Sequence, residues 1–188
     1  YRQEPKKIIE DVNGTLNPIP DYHTHLASRE INSCNMCGLC KQVCPRGLDF
    51  EEIFLDSRRV LHQQGVQPPA YHDFWLRDMR FSQSAQCYLA AGGKACRYLF
   101  FPGCQLGGSD PQYVAAGYAY LAARLAGPVG VLLSCCGAPA RWAGREDERE
   151  GVSSQIRASW EQLGRPVLVM ACPTCEKVLR STLPELEL

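Results

Sequence analysis

Three cysteine segments decide the fold of the C-terminal half: Phe101-Pro-Gly-Cys104, Ser134-Cys135-Cys136-Gly137 and Ala171-Cys172-Pro-Thr-Cys175. Each segment directly follows a short apolar run, and these runs occupy residues 98–101, 129–133 and 167–170. Such continuous runs are typical of strands that are buried on both faces. Helical patterns separate them, so the order is βαβαβα. The sequence therefore predicts an α/β domain with a small parallel, Rossmann-like sheet.

The cysteines of the three segments are expected to converge on one site, because open α/β sheets place their sites at the carboxyl ends of the strands. Zinc needs only four ligands, and a four-iron cluster takes one thiolate per iron. A fifth thiol therefore indicates a bridging sulfur or a redox-active thiol beside a metal. Gly137 is expected to take a positive φ where the chain leaves its strand. Below, the five-cysteine set means Cys104, Cys135, Cys136, Cys172 and Cys175.

The spacing of the five-cysteine set resembles that of a known family. A cysteine, about thirty residues, Cys-Cys-Gly, about thirty-five residues and CxxC form the pattern of the cysteine-rich CCG domain of heterodisulfide reductases and related iron–sulfur oxidoreductases. The resemblance implies a non-cubane [4Fe–4S] cluster at the five-cysteine set, or in some relatives a cubane cluster or zinc. Residues 98–175 are also similar to the iron–sulfur extensions of flavin-containing pyridine nucleotide–disulfide oxidoreductases of anaerobes.

A second motif begins at Cys34 and has the spacing C-x2-C-x2-C-x3-C-P of bacterial ferredoxins. This spacing lets thiolates wrap a [4Fe–4S] cubane. In ferredoxins with two clusters, however, the fourth cysteine of a run ligates the other cluster. Cys44 is the predicted fourth ligand here, and Cys87 and Cys96 are the alternatives. Below, the four-cysteine run means Cys34, Cys37, Cys40 and Cys44.

The pattern along the chain predicts four parts. The N-terminal arm contains turn formers such as Asn13-Gly14, and the ferredoxin-like part has helices that begin near Asp49 and Asp73. The parts are an arm at 1–33, a mainly helical [4Fe–4S] ferredoxin-like domain at 34–81, a linker at 82–95 and the α/β cysteine-rich domain at 96–188.

Composition favours some classes of protein over others. Twenty basic and twenty acidic residues balance, which predicts no nucleic-acid partner. No apolar run approaches the roughly eighteen residues of a membrane helix. The chain has eleven cysteines, of which nine fall in metal-ligand spacings, and this predicts a reduced, cytoplasmic compartment. The start at Tyr1 suggests a piece of a longer polypeptide.

These patterns predict an electron-transfer part of an oxidoreductase of anaerobic metabolism. The resemblance to iron–sulfur extensions of flavin-containing oxidoreductases implies a flavoprotein domain or subunit as the partner. The chain contains no GxGxxG run of its own. Electrons would pass through the ferredoxin-like cluster to the five-cysteine set. One alternative is direct reduction of a disulfide at that set. Catalytic relatives carry two CCG motifs and this chain has one, so a partner would supply the second motif. The other alternative is an interaction module that binds zinc there.

Overall fold

The structure is a computed structural model that describes residues 4–17, 24–93 and 96–187. It divides into two compact units. The first unit comprises Tyr1–Phe74 and Pro139–Glu146, and the second comprises Trp75–Ala138 and Asp147–Leu188. The predicted arm falls partly outside the described residues, at 1–3 and 18–23.

Helices dominate the first unit. They are α1 (Pro5–Leu16), α2 (Thr24–Ser33), α3 (Leu39–Val43) and α4 (Phe50–Gln63), followed by a 3-10 turn at Pro69–Tyr71. The apolar residues of α1 lie four apart, which places them on one helical face. That face packs into a core with residues of α2, the four-cysteine run and α4. The buried residues of this core are Ile8, Val12, Ile31, Met36, Phe54, Leu55 and Leu61.

The predicted helix starts after the four-cysteine run are confirmed. The Asp49 side chain accepts a hydrogen bond from the Glu52 amide at 3.3 Å, which caps α4. Helix α4 ends at Gln63, and Gly65 follows it with φ +71°. Asp73 begins α5, which spans Asp73–Ser82.

A four-stranded mixed sheet organises the second unit. Its order is β1 (Leu89–Ala91), β3 (Val129–Leu133), β2 (Tyr98–Phe101) and β4 (Val167–Met170). The three predicted strands form as β2, β3 and β4, and both β3 and β4 pair with β2 in parallel. This confirms the α/β class and the parallel centre of the sheet. The fourth strand, β1, pairs with β3 antiparallel. It lies within the stretch that was predicted as linker, so the sheet is mixed where an all-parallel one was expected.

Helices connect the strands as the sequence predicts. They are α6 (Gly103–Ser109), α7 (Pro111–Arg124), α8 (Ala138–Trp142), α9 (Glu146–Gln162) and α10 (Pro173–Thr182). Asp110 caps α7 by accepting from the Gln112 amide at 2.9 Å. Helix α7 buries none of its residues and exposes Tyr113, Tyr118 and Tyr120, whereas α9 buries Val152, Ile156 and Trp160. Across the described ranges, no helix is long and apolar enough to span a bilayer.

Candidate metal centres

The strand ends of the second unit deliver the five-cysteine set. Cys104 lies in α6, three residues after β2 ends at Phe101. Cys135 and Cys136 follow the end of β3 at Leu133, and Cys172 is the N-cap of α10 directly after β4. Cys175 lies in the first turn of α10. Because β2, β3 and β4 are parallel neighbours, their carboxyl ends share one edge of the sheet.

Thiol contacts link the three segments at that edge. The Sγ atoms of Cys104 and Cys135 are 3.8 Å apart. The Cys136 thiol interacts in turn with the thiols of Cys135 and Cys175. These contacts form a chain that runs from the end of β2 through the end of β3 to α10. The structure therefore brings four thiols of the set together.

Gly103 places the fifth cysteine near the same site. A Cβ built on Gly103 would lie 3.1 Å from Cys175 Sγ and 3.6 Å from Cys172 Cβ. Its φ of +75° is a conformation that residues with a side chain rarely adopt. Glycine thus allows the backbone before Cys104 to approach the CxxC segment closely. The space between Gly103, Cys172 and Cys175, which a methyl group would fill, is called the Gly103 cradle below. Cys172 therefore lies close to Cys175, which belongs to the chain of thiol contacts.

The predicted conformation of Gly137 is confirmed, since its φ is +85°. Its amide faces the Cys135 thiol. On the side where a Cβ would stand, the near neighbour of Gly137 is not a sulfur atom. A Cβ there would meet Val152 Cγ1 at 3.3 Å. Gly137 therefore allows the turn to pack against α9, and the glycine that approaches sulfur on its Cβ side is Gly103.

Burial and mutual contact raise the pKa of three thiols of the five-cysteine set, those of Cys104, Cys135 and Cys136. Contact with the Cys135 thiol, together with burial, raises the pKa of Cys104. The Cys104 contact lowers the pKa of Cys135, but Cys136 and burial outweigh it and raise that pKa to about 12. The pKa of buried Cys136 also rises, because contact with Cys175 and burial outweigh the lowering effect of Cys135. Thiolates could gather here only with added positive charge, and metal ions supply such charge.

Gln83 is a contact of this site that the sequence did not predict. Its side-chain carbonyl accepts hydrogen bonds from Ser134 Oγ at 2.7 Å and from the Cys135 amide at 3.1 Å. The residue lies just after α5, within the predicted linker. A glutamine among serines, with Gln86 in the same segment, carries no sequence signal for such a role. Only the tertiary structure reveals it.

The four-cysteine run lies in the first unit, in the loop between α2 and α4 that contains α3. Two residues within it have left-handed backbone, Met36 with φ +56° and Gly38 with φ +74°. These turns coil the chain so that three thiols come near one another. Burial raises the pKa of Cys34, and the neighbouring thiols of Cys40 and Cys37 add to the rise. Cys37 is exposed, whereas Cys34 is half-buried.

The Cys44 thiol meets backbone donors where the run ends. The amides of Leu48 and Arg46 lower its pKa, and the Gly47 amide adds to the effect. Donors of this kind favour a thiolate. Cys44 shares the first unit with the other three cysteines of the run. It remains the predicted fourth ligand.

The two alternative fourth ligands belong to the second unit. The Cys96 thiol is buried and donates to the Tyr98 carbonyl at 2.8 Å. A Cβ built on Gly130 would lie 2.7 Å from its sulfur, so the β-sheet backbone encloses this thiol closely. Cys87 is half-buried in the turn before β1. Burial raises the pKa of Cys96 and outweighs the lowering effect of the Gly130 and Tyr98 amides, whereas amides lower the pKa of Cys44.

A buried arginine binds the backbone at the start of the four-cysteine run. Arg58 on α4 is 1% exposed. Its guanidinium donates to the Cys34 carbonyl at 2.7 Å, to the Ile31 carbonyl at 2.9 Å and to the Trp142 carbonyl at 2.7 Å. The three acceptors lie in α2, at the first cysteine of the run and in α8, and all three belong to the first unit. Arg58 thereby fixes the backbone from which the first thiol projects.

The number of thiols can be compared with what each kind of metal centre requires. In the described ranges, no three His, Cys, Asp or Glu side chains group so as to hold one metal ion. Zinc requires four donors about 2.3 Å or less from a single point. A four-iron cluster takes one thiolate at each iron. The five thiols of the set are enough for either kind of centre.

Comparison with known proteins identifies both cysteine regions. Residues 98–180 match the CCG family, the cysteine-rich domain. Residues 1–49 match the family described as a 4Fe-4S dicluster domain. No curated protein and no solved structure matches the chain. The predicted resemblances to the CCG domain and to a [4Fe–4S] ferredoxin-type motif are confirmed, and both matches support iron–sulfur clusters as cofactors.

The two matches cover the two cysteine groups separately. The CCG match contains the whole five-cysteine set. The dicluster match ends at residue 49, and its only cysteines are those of the four-cysteine run. That number of thiolates suffices for one cubane cluster.

Proposed function

We propose that this chain is an electron-transfer module with two iron–sulfur centres. The four-cysteine run would hold a [4Fe–4S] cubane, and the five-cysteine set would hold a second cluster of four irons. The observation that carries the proposal is the convergence of the five-cysteine set at one sheet edge, in a unit separate from the four-cysteine run. Because the two sets of thiols lie in separate units, they favour two metal centres rather than one. Electrons would pass from one centre to the other.

Each part of the protein has a defined task in this proposal. The loop amides around Cys44 and the guanidinium of Arg58 hold the four-cysteine run. The strand ends and the Gly103 cradle hold the five-cysteine set. When bound, the clusters accept and release single electrons, and the protein fixes their thiolates and limits their exposure to water.

A flavoprotein domain or subunit is the proposed electron donor. The resemblance to iron–sulfur extensions of pyridine nucleotide–disulfide oxidoreductases supports this choice. A flavin can take a pair of electrons from a pyridine nucleotide and release them singly, which matches the one-electron capacity of each cluster. Electrons would enter at the four-cysteine run, where Cys37 is exposed, and leave at the five-cysteine set.

Reduction of a disulfide at the five-cysteine set is the second candidate, favoured by the pattern of exposure there. Cys104 and Cys172 are half-exposed, whereas Cys135, Cys136 and Cys175 are buried. A substrate sulfur would therefore reach the set from the side of Cys104 and Cys172. The reaction would consume two electrons and two protons per disulfide and release two thiols. The flavoprotein would supply the electrons through the four-cysteine run, and water the protons.

The test is a redox titration of the anaerobically prepared protein, followed by electron paramagnetic resonance. We expect two centres that are reduced and reoxidised reversibly, and that are also reduced by NADH with a flavin reductase. A chain in which neither centre changes oxidation state would overturn electron transfer. Chemical reduction without reduction by the flavin reductase would remove the flavoprotein from the proposal. Steady consumption of a chromogenic aromatic disulfide under the same conditions would establish the second candidate.

A further inference from the structure

Gln83 connects the end of α5 to the turn that carries Cys135 and Cys136. Its Oε1 accepts from the Cys135 amide at 3.1 Å and from Ser134 Oγ at 2.7 Å. The Ser134 hydroxyl also lies 3.1 Å from the Cys135 carbonyl. Ser134 is 5% exposed and Cys135 is 1% exposed. One side-chain oxygen therefore serves two donors in a buried turn.

This position requires an acceptor. Strand β3 ends at Leu133, so the Cys135 amide lies beyond its pairing with β1 and β2. A buried backbone amide without a partner costs free energy comparable to a lost hydrogen bond. Gln83 supplies the partner, and the direction of this bond fixes the peptide from which the Cys135 side chain projects.

Gln83 is itself held in place. Its backbone amide donates to the Met79 carbonyl at 3.1 Å, which continues the bonding pattern of α5. Its side-chain amide donates to Gln155 Oε1 on α9 at 3.3 Å. Five residues later, the Tyr88 hydroxyl lies 2.6 Å from Ser159 Oγ on the same helix. The carbonyl of Gln83 is thus directed at the turn by contacts on its other side.

We propose that Gln83 is a positioning residue of the five-cysteine centre. It holds the Ser134–Cys135 peptide so that Cys135 Sγ stays 3.8 Å from Cys104 Sγ and in contact with Cys136. Gln83 acts through the backbone of Cys135 and would not itself be a ligand. This inference rests on the proposed function, in which the five-cysteine set holds a cluster.

The test compares Gln83→Met and Gln83→Glu in the anaerobically reconstituted chain. Methionine has a similar length and no strong acceptor, so the Cys135 amide loses its partner. Residues that orient metal ligands typically change metal affinity about 10- to 100-fold when replaced. We therefore expect Gln83→Met to lose iron from the five-cysteine centre to a chelator about 10- to 100-fold more readily. The signal of the four-cysteine run should be unchanged.

The conservative variant separates a positioning role from general stability. Gln83→Glu keeps an acceptor for the Cys135 amide, so this centre should keep its iron and its spectrum. The added negative charge should shift its midpoint potential to more negative values, with no shift at the four-cysteine run. The matched control is Gln162→Met at the exposed end of α9, which should behave like the unmodified protein.

The outcomes distinguish this inference from the proposed function. If the unmodified chain holds two clusters and Gln83→Met keeps the second one with unchanged spectrum and chelator resistance, the inference alone is overturned. If Gln83→Met does not fold, Gln83→Glu still decides, since an unshifted potential would also overturn the inference. If the unmodified chain forms no cluster at the five-cysteine set, the proposed function of that set fails and the inference fails with it.

Discussion

The two cysteine sets differ in how the chain brings them together. The four-cysteine run gathers its thiols within eleven residues by coiling one loop through two left-handed positions, Met36 and Gly38. The five-cysteine set gathers thiols from three strand ends across 72 residues, and it needs a parallel sheet to do so. The first site is formed by one short segment of the chain, whereas the second depends on the tertiary structure of the sheet. Damage to one ligand should therefore stay local in the first set, whereas backbone changes should matter more in the second.

The largest effect is expected from Cys37→Ala in the four-cysteine run. A cubane needs one thiolate per iron, so this variant should lose about four of the roughly eight irons and the cubane signal. The spectrum of the second centre should remain, because the two sets are in separate units. Loss of both spectra in metal analysis and electron paramagnetic resonance would break the comparison.

A change of cluster type is expected from Cys136→Ala. Four thiolates remain in the five-cysteine set, and four can hold a cubane. This variant should keep its iron and acquire the paramagnetic spectrum of an ordinary cubane. An unchanged spectrum in Cys135→Ala or Cys136→Ala would make that cysteine a spectator. The site would then be a four-thiolate centre, and reduction of a disulfide there would lose its chemical basis.

A smaller effect is expected from Gly103→Ala, which tests the tertiary character of the second site. The added methyl group would meet Cys175 Sγ at 3.1 Å, in a backbone conformation with φ +75°. A left-handed residue with a side chain costs about 1–2 kcal/mol, so the free energy of unfolding should fall by at least that amount. The iron of the five-cysteine centre should also become more labile.

Gly108→Ala is the matched control, because it lies in the same helix with nothing within 4 Å of its Cβ position. Thermal unfolding should show no loss for this variant, since alanine favours a helix over glycine. Equal destabilisation of both variants would mean that the Gly103 cradle has no special part in the site.

The smallest effect is expected from Cys87→Ser. Cys87 is half-buried in a turn of the second unit, and Cys44 is the predicted fourth ligand of the run. Iron content and both spectra should match those of the unmodified protein. A missing cubane signal would identify Cys87 as the fourth ligand and join the two sites that the comparison separates.

The strands and the glycine turn of the second site could be predicted from the sequence, because their signals are local. Continuous apolar runs predicted β2, β3 and β4, and Cys-Cys-Gly predicted the positive φ of Gly137. The contacts of that site could not be predicted. Gln83 lies 52 residues before Cys135, and no pattern in either segment indicates that they meet.

The N-terminal helices were also missed, for a different reason. Asn13-Gly14 is a common turn signal, yet both residues lie inside α1. Ile8 and Val12 bury one face of that helix in the core with Phe54 and Ile31. Tertiary packing therefore outweighs the local preference of two residues. The strand β1 was missed because a three-residue strand at a sheet edge is too short to show alternation.

The central claim is that both cysteine sets hold iron–sulfur clusters. Its most direct test is iron, sulfide and zinc analysis of the chain after anaerobic purification. We predict a brown protein with roughly eight irons, as expected for two four-iron clusters. About four irons together with one zinc would contradict the claim at the five-cysteine set. No iron after anaerobic reconstitution would contradict it at both.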